Sequence, residues 1–201
     1  MQPATPTKRE SSFSHLLTSV LYTVVTVVLL GLIYPLVITG IGMLIFPHQA
    51  NGSFVESNGK VVGSEIIGQL WTKPQYFQGR PSAAGKNGYD PTSTGGTNLA
   101  PTSKKLIDAT KATIAALKKA NPDAVGEPPM DLVTSSGSGI DPDISPEAAA
   151  WQMPRVAKAR NMTAAAVKAI VDANITGRQF GILGEPRVNV LALNRALDAA
   201  K

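Results

Sequence analysis

The sequence predicts an α+β (mixed α/β) soluble domain anchored by one N-terminal transmembrane helix. An uncharged apolar run at residues 16–46 predicts the anchor, and Asn58-Gly59 between β-prone segments predicts an early hairpin. Capped segments with helical periodicity follow residue 102. We therefore divide the chain into a disordered cytoplasmic N-terminus (1–15), a transmembrane helix (16–46) and an extracytoplasmic α/β domain (47–201).

The predicted anchor runs from Leu16 to Phe46 and contains no Asp, Glu, Lys or Arg. About 18 such residues are enough to cross a bilayer, because a helix satisfies its own backbone in lipid. At 1.5 Å per residue the run reaches about 45 Å, whereas the hydrocarbon core is about 30 Å thick. We therefore expect tilt, a projecting end, or a kink at Tyr34-Pro35. A cleaved signal peptide has a shorter apolar core of about 7–15 residues, so that reading is not favoured.

The charges around the anchor predict its orientation. Lys8 and Arg9 precede it, whereas the first charge after it is Glu56 and the next basic residue is Lys60. Because cytoplasmic flanks carry an excess of basic residues, we expect the N-terminus in the cytoplasm and the large domain outside.

The rest of the chain predicts short elements around one long irregular segment. Residues 70–101 are rich in Gly, Pro, Ser and Asn, and a loop of this length is usually functional. Its aromatic residues Trp71, Tyr76 and Phe77 suggest that it is pinned to the core or to a partner. Helices are expected at 103–120, from the Ser145 cap to Pro154, from the Thr163 cap to near Gly177, and at 191–200; strands are expected at 131–134 and 187–191.

Composition argues against most catalytic classes. The chain has no Cys, which excludes thiolate catalysis and disulfides, and its two histidines, His15 and His48, flank the anchor. The SSGSG run at 135–139 does not fit the G-x-S-x-G nucleophile elbow, since Thr134 occupies the first position for Ser136. It is not a P-loop either, and we interpret it as a turn before a helix. Basic residues are scattered, which argues against nucleic-acid binding.

A second pattern resembles the start of a calcium loop. Asp141, Asp143, Ser145 and Glu147 alternate along the chain, but prolines interrupt them and Gln152 occupies the twelfth position. We interpret the run as an Asx-turn before a capped helix and expect no metal site.

Six motifs in order after the apolar run carry a resemblance to a known family. They are GSEIIGQ (63–69), YFQGRPSA (76–83), GGTNLAPTSKKL (95–106), DLVTSSGSGIDPDISPEAA (131–149), PRVAKAR (154–160) and GEPRVNVLALNRALD (184–198). Together they resemble the C subunit of the Kdp-type high-affinity potassium-transporting ATPase of bacteria, the KdpC family.

The resemblance implies a non-catalytic accessory subunit of an ATP-driven potassium uptake pump in the bacterial inner membrane. Such a subunit would support assembly, stability and coupling, and would cover the outer ion entrance. Its partners would be a potassium-translocating, channel-like subunit and a P-type ATPase subunit. Two readings of other classes are a membrane-anchored hydrolase and an extracellular binding module.

The family also carries a competing description, in which the C subunit is a catalytic chaperone that binds ATP through a Gln. The best match is Gln78, or else Gln152. Because the predicted topology places this loop outside the cell, we prefer a structural role. ATP and potassium then act at the level of the complex, with no cofactor held directly by this chain.

Three loops are the candidate contacts with partners, because Arg-containing rigid loops are typical interface anchors. The residues are Arg80, Ser82, Asn98, Ser138, Asp141, Arg187 and Asn189.

Overall fold

A computed structural model describes residues 11–200, and the chain divides into two compact units between Gly52 and Ser53. Most of the predicted disordered N-terminus lies outside the described residues. The first helix begins at Ser12, four residues before Leu16, with the Ser11 hydroxyl accepting a hydrogen bond from the Phe13 N–H.

The first unit is a long apolar helix followed by one short turn of helix. It consists of α1 (Ser12–Thr26), a π-helical stretch (Val27–Ile33) and α2 (Tyr34–Ile45), and Phe46 then leads into α3 (Pro47–Ala50). The 34 residues of Ser12–Ile45 are long and apolar enough to cross a membrane, and none of the three segments contains a buried residue. This exposed apolar surface fits lipid or other membrane helices.

The irregularity expected at Tyr34-Pro35 takes the form of the π-helical stretch directly before it. Proline has no N–H with which to bond a preceding carbonyl, so the α-helical pattern cannot continue unchanged through Pro35. The Tyr34 N–H bonds instead to the Leu29 carbonyl, five residues back. Such widened turns accommodate helix-breaking residues within membrane helices.

The second unit is an α+β domain, as the sequence predicts. Its elements are β1 (Phe54–Ser57), β2 (Lys60–Ser64), α4 (Lys104–Ala120), α5 (Met130–Val133), β3 (Asp143–Ile144), α6 (Pro146–Arg160), α7 (Ala164–Ala173), β4 (Ile175–Thr176), β5 (Arg187–Asn189) and α8 (Val190–Ala199). Strands β1 and β2 form the predicted hairpin, with Asn58 and Gly59 at φ 51° and 72° in its turn. The other three strands form an antiparallel sheet in the order β3-β5-β4.

The core lies where α6, α7 and α8 meet β5. Val156, Val167, Val188 and Leu193 are fully buried there. By contrast, α4 has no buried residue, and its Ile107 is 44% exposed.

Three sequence expectations are wrong: the strand at 131–134, the helix end at Pro154 and the helix end near Gly177. Residues 131–133 belong to α5 instead, and the Thr134 N–H bonds to the Met130 carbonyl. Four residues are too few for periodicity to distinguish a strand from a turn of helix. Pro154 was expected to end its helix, yet α6 continues to Arg160.

The physical reason for the continuation at Pro154 is packing on both sides of it. Proline inside a helix costs about 3 kcal/mol. Trp151 precedes it and Val156 follows it, and both are buried in the core.

The helix end expected near Gly177 also falls earlier, at Ala173, since Asn174 caps α7 and the next residues join β4.

The irregular segment at residues 74–78 is held by two side-chain amides that act as a neighbouring strand would. Asn194 of α8 accepts from the Phe77 N–H at 2.8 Å and donates to the Phe77 carbonyl at 3.0 Å. Gln152 of α6 does the same for Gln78, at 2.9 and 3.1 Å. Both amides are almost completely buried, so they satisfy backbone groups that water cannot reach.

Two arginines of α6 bind the three carbonyls before Phe77. Arg155 donates to the carbonyls of Pro74 and Tyr76, and Arg160 donates to that of Gln75 at 2.7 Å. Burial lowers the pKa of the Arg155 guanidinium to about 10, so it stays charged at neutral pH. Five consecutive carbonyls therefore rest on side chains of α6 and α8.

Loops 80–90 and 134–141 are joined by one backbone hydrogen bond and one hydroxyl. Ser82 donates to the Gly139 carbonyl and accepts from the N–H groups of Ala84 and Tyr89. The Ser136 N–H bonds to the Pro81 carbonyl at 3.1 Å. The two loops are thus hydrogen-bonded to each other through side chain and backbone.

Replacing Asn194 with Ala should lower the free energy of unfolding by about 3 kcal/mol, because it leaves the N–H and the carbonyl of buried Phe77 without partners. The measurement is urea unfolding of the detergent-solubilised chain, followed by fluorescence of Trp71 and Trp151, both in the second unit. The matched control is Asn87→Ala, at an exposed loop position, which should change stability by under about 0.5 kcal/mol. Equal effects of the two changes would contradict the proposed role of the amide.

Replacing Gly139 with Ala should separate the two joined loops. Gly139 has φ 72°, and an added Cβ would lie 2.6 Å from the Ala84 Cβ and 2.8 Å from the Gly95 carbonyl oxygen. Left-handed strain and overpacking together predict a loss of about 3 kcal/mol in the same unfolding experiment. Gly137→Ala, where nothing lies within 4 Å of the added Cβ, is the control and should be almost neutral. A neutral Gly139→Ala would show that the loops are free to shift.

Candidate functional site

The structure brings four charged residues into one cluster on the two joined loops, β3 and β5. Arg80 pairs with Asp141 at 3.0 Å, and Arg187 pairs with Asp143 at 3.1 Å. We name these four residues the charged cluster. Three of them are predicted contact residues, and Asp143 connects the two halves.

Asp141 both pairs with Arg80 and shapes its loop. Its second oxygen accepts from the Asp143 N–H at 3.1 Å, which confirms the Asx-turn expected from the sequence. The Arg80 and Asp141 side chains are each 27% exposed, so the pair is partly shielded from water and still reachable by a partner.

The Asp143 side chain is 25% exposed, whereas that of its partner Arg187 is 50% exposed. Burial raises the pKa of its carboxyl above the ordinary value, Arg187 opposes this rise, and the nearby Asp141 adds to it. Its carboxylate also accepts from the Asn189 amide at 3.3 Å. Among residues 11–200, no three His, Asp or Glu side chains converge in a way that could hold a metal ion.

The remaining predicted contact residues have different surroundings. Asn189 caps α8 by accepting from the Ala192 N–H and donates to the Glu65 carbonyl. The Ser82 hydroxyl bonds to the Gly139 carbonyl and to the N–H groups of Ala84 and Tyr89, as described above. Ser138 and Asn98 are exposed, and Asn98 has φ 50°.

Gln78 lines a cleft of about 490 Å³ between the irregular segment and α4. Its walls include Trp71, Tyr89 and Leu117, and Arg80 is the single charged lining residue. Burial raises the pKa of the Tyr89 phenol to about 12, so this group stays neutral and donates to the Arg80 carbonyl. Gln152, the other candidate for a nucleotide contact, is 1% exposed and bonded through both amide atoms.

Sequence reasoning missed the side chains that hold residues 74–78. Their signal was present, because Asn194 falls on the same helical stripe as Val190 and Leu197. A polar residue on an apolar stripe indicates a buried polar group that needs a partner. Only the fold shows that this partner is the backbone of Phe77, which lies 117 residues away along the chain.

Comparison with known proteins gives one consistent result. A family model described as KdpC, K+-transporting ATPase, c chain, matches residues 16–199. A Potassium-transporting ATPase KdpC subunit of Burkholderia cenocepacia (strain HI2424) is 58% identical over 171 residues, or 85% of this chain and 89% of the relative. The protein of the same name in Acidobacterium capsulatum is 54% identical over 187 residues, or 92% of this chain and 98% of the relative. The one in Myxococcus xanthus is 54% identical over 187 residues, or 92% of this chain and 88% of the relative.

These matches confirm the resemblance stated from the motifs, and they extend from the apolar helix to the end of α8. The chain therefore belongs to the KdpC family, the c chain of the K+-transporting ATPase, and is an accessory subunit of that complex rather than an enzyme by itself.

Proposed function

We propose that this subunit works by contact, with the charged cluster as its docking surface for the other chains of the pump. The proposed partners of this docking surface are a potassium-translocating, channel-like subunit and a P-type ATPase subunit. The observation that carries the proposal is the pairing of Arg80 with Asp141 on loops that are already joined to each other. A surface built in advance loses little conformational entropy on binding.

The chemistry of the cluster supports selection of a partner. Arg80 and Arg187 flank two neighbouring carboxylates, so a complementary surface needs charges in the matching order. Asn98 and Ser138, both exposed, would lie at the rim of such a contact. Ser82 and Asn189 would act indirectly, because their polar atoms hold loops and the α8 cap.

The cleft beside Gln78 offers less support for direct nucleotide binding. A triphosphate needs several cations or a cradle of N–H groups, as in P-loops and Arg clamps. The single cation of the cleft, Arg80, already pairs with Asp141.

Gln78→Ala in the assembled pump should therefore leave the apparent KM for ATP within about twofold. A tenfold rise in this KM would favour the description of the subunit as a catalytic chaperone.

The proposal places the second unit outside the cytoplasm, on the basis of Lys8 and Arg9 before the anchor. Because the chain contains no Cys, single cysteines can report its topology without background. In intact cells with a permeable outer envelope, a membrane-impermeant maleimide should label Val125→Cys, at a position that is 93% exposed. Ser11→Cys should be labelled only after the inner membrane is broken. The reverse pattern would place the domain in the cytoplasm.

The docking surface is tested by reversing the Arg80–Asp141 pair. Arg80→Glu and Asp141→Arg alone should each weaken both the fold and the complex. The double variant restores an ion pair but not the oxygen of Asp141 that accepts from the Asp143 N–H, so its unfolding midpoint should lie above those of both single variants and below that of the unmodified chain. Its recovery with the ATPase subunit, in mild detergent from potassium-starved cells, should stay at least fivefold lower, because a partner would meet charges in the wrong order.

The matched control is the same exchange at Lys118 and Glu127, an exposed pair that lies 2.5 Å apart outside the charged cluster. This exchange should change neither stability nor recovery. Full recovery of the reversed Arg80–Asp141 chain would show that the pair is purely internal. Failure of the unmodified chain to bring down any ATPase subunit would overturn the accessory role itself.

A further inference from the structure

A β-hairpin between β4 and β5 presents large apolar side chains to solvent. Phe180 is 84% exposed, Ile182 74% and Leu183 54%. We name these three residues the hairpin tip. Single exposed apolar residues are ordinary, whereas three within four positions form a patch that indicates an interaction site.

The tip is held rigidly by its own backbone. Gln179 and Leu183 exchange hydrogen bonds in both directions, at 2.8 and 2.9 Å. The Gly181 N–H bonds to the Arg178 carbonyl, and β4 pairs with β5 below the tip. The exposed side chains are therefore presented by a closed turn, which lowers the entropic cost of binding.

Phe180 has φ 54°, in the left-handed region that bulky residues rarely adopt. This conformation is unfavourable for an L-residue by about 1–2 kcal/mol, whereas Asn or Gly would adopt it at little cost. An exposed Phe contributes no core packing that would offset the strain. Strain of this kind is found where a function requires the residue.

The charges beside the tip favour a protein partner over a lipid surface. Residues 177–186 contain one Arg and one Glu, and these two, Arg178 and Glu185, pair with each other at 2.5 Å. Arg187 below them is already paired with Asp143. Segments that bind membranes carry an excess of Lys or Arg for anionic headgroups, whereas the single Arg of residues 177–186 is already paired with Glu185.

We propose that the hairpin tip inserts Phe180 and Ile182 into an apolar pocket on another subunit of the same complex. This inference rests on the accessory role proposed above. It adds a contact, because sequence reasoning assigned no role to Phe180, Ile182 or Leu183. An aromatic anchor in a desolvated pocket is the typical centre of a protein interface.

The test variant is Phe180→Asn in the full-length tagged chain, purified with its complex in mild detergent. Asn tolerates φ 54°, so the unfolding midpoint of the chain should stay the same or rise. Recovery of the other subunits should fall at least fivefold, because the anchor is lost. Val125→Asn, at an apolar side chain that is 93% exposed and lies outside the tip, is the matched control and should leave both quantities unchanged.

Three results would overturn the inference. Full recovery of the complex with Phe180→Asn would show that the tip is not an anchor, while the accessory role would stand. A photo-crosslinking amino acid at position 180 that labels lipid, and no other subunit, would assign the tip to the membrane. If even the unmodified chain recovers no other subunit, the accessory role fails and this contact fails with it.

Discussion

The domain depends on one constraint, which is that a buried segment without a neighbouring strand must still have its backbone hydrogen-bonded. No helix or strand lies between Ser64 and Lys104, yet Phe77 in the middle of this stretch is fully buried. The amides of Asn194 and Gln152 and the guanidinium groups of Arg155 and Arg160 supply what a strand would supply. This is why α6 and α8 carry polar residues on faces that are otherwise apolar.

The same arrangement fixes the backbone that leads to the charged cluster, which we propose as the docking surface. Once Phe77 and Gln78 are fixed, the chain enters the loop of Arg80 and Ser82, and Ser82 ties that loop to Gly139. Arg80 and Asp141 of the charged cluster therefore stand on irregular backbone that is hydrogen-bonded between two loops, whereas Asp143 and Arg187 stand on β3 and β5. Under the proposed function, this subunit contributes to the pump through the free energy of specific contacts. The hairpin tip, with Phe180 at φ 54°, is the second surface that we propose for such a contact.

The two units show different relations between sequence and structure. In the helix Ser12–Ile45, uncharged composition alone determines the outcome, since lipid leaves the backbone no other way to bond. Pro35 even indicates where the helical pattern changes, although not that the change is a π-helical stretch. In the second unit, Pro154 was misleading because burial of Trp151 and Val156 outweighs a local preference. The strand expected at 131–134 failed because so short a segment has no period.

The sequence by itself determined the apolar helix, the Asn58-Gly59 hairpin, the caps at Ser145 and Thr163, and the family through its long motifs. These features are local, or depend on the order of residues along the chain, so no knowledge of packing is required. The tertiary structure alone decided that Asn194 holds Phe77, that Arg80 meets Asp141 and that Phe180 stands exposed. Such contacts join residues far apart in the chain, or depend on which surfaces the core leaves uncovered. Neither property is encoded in a local pattern of residue types.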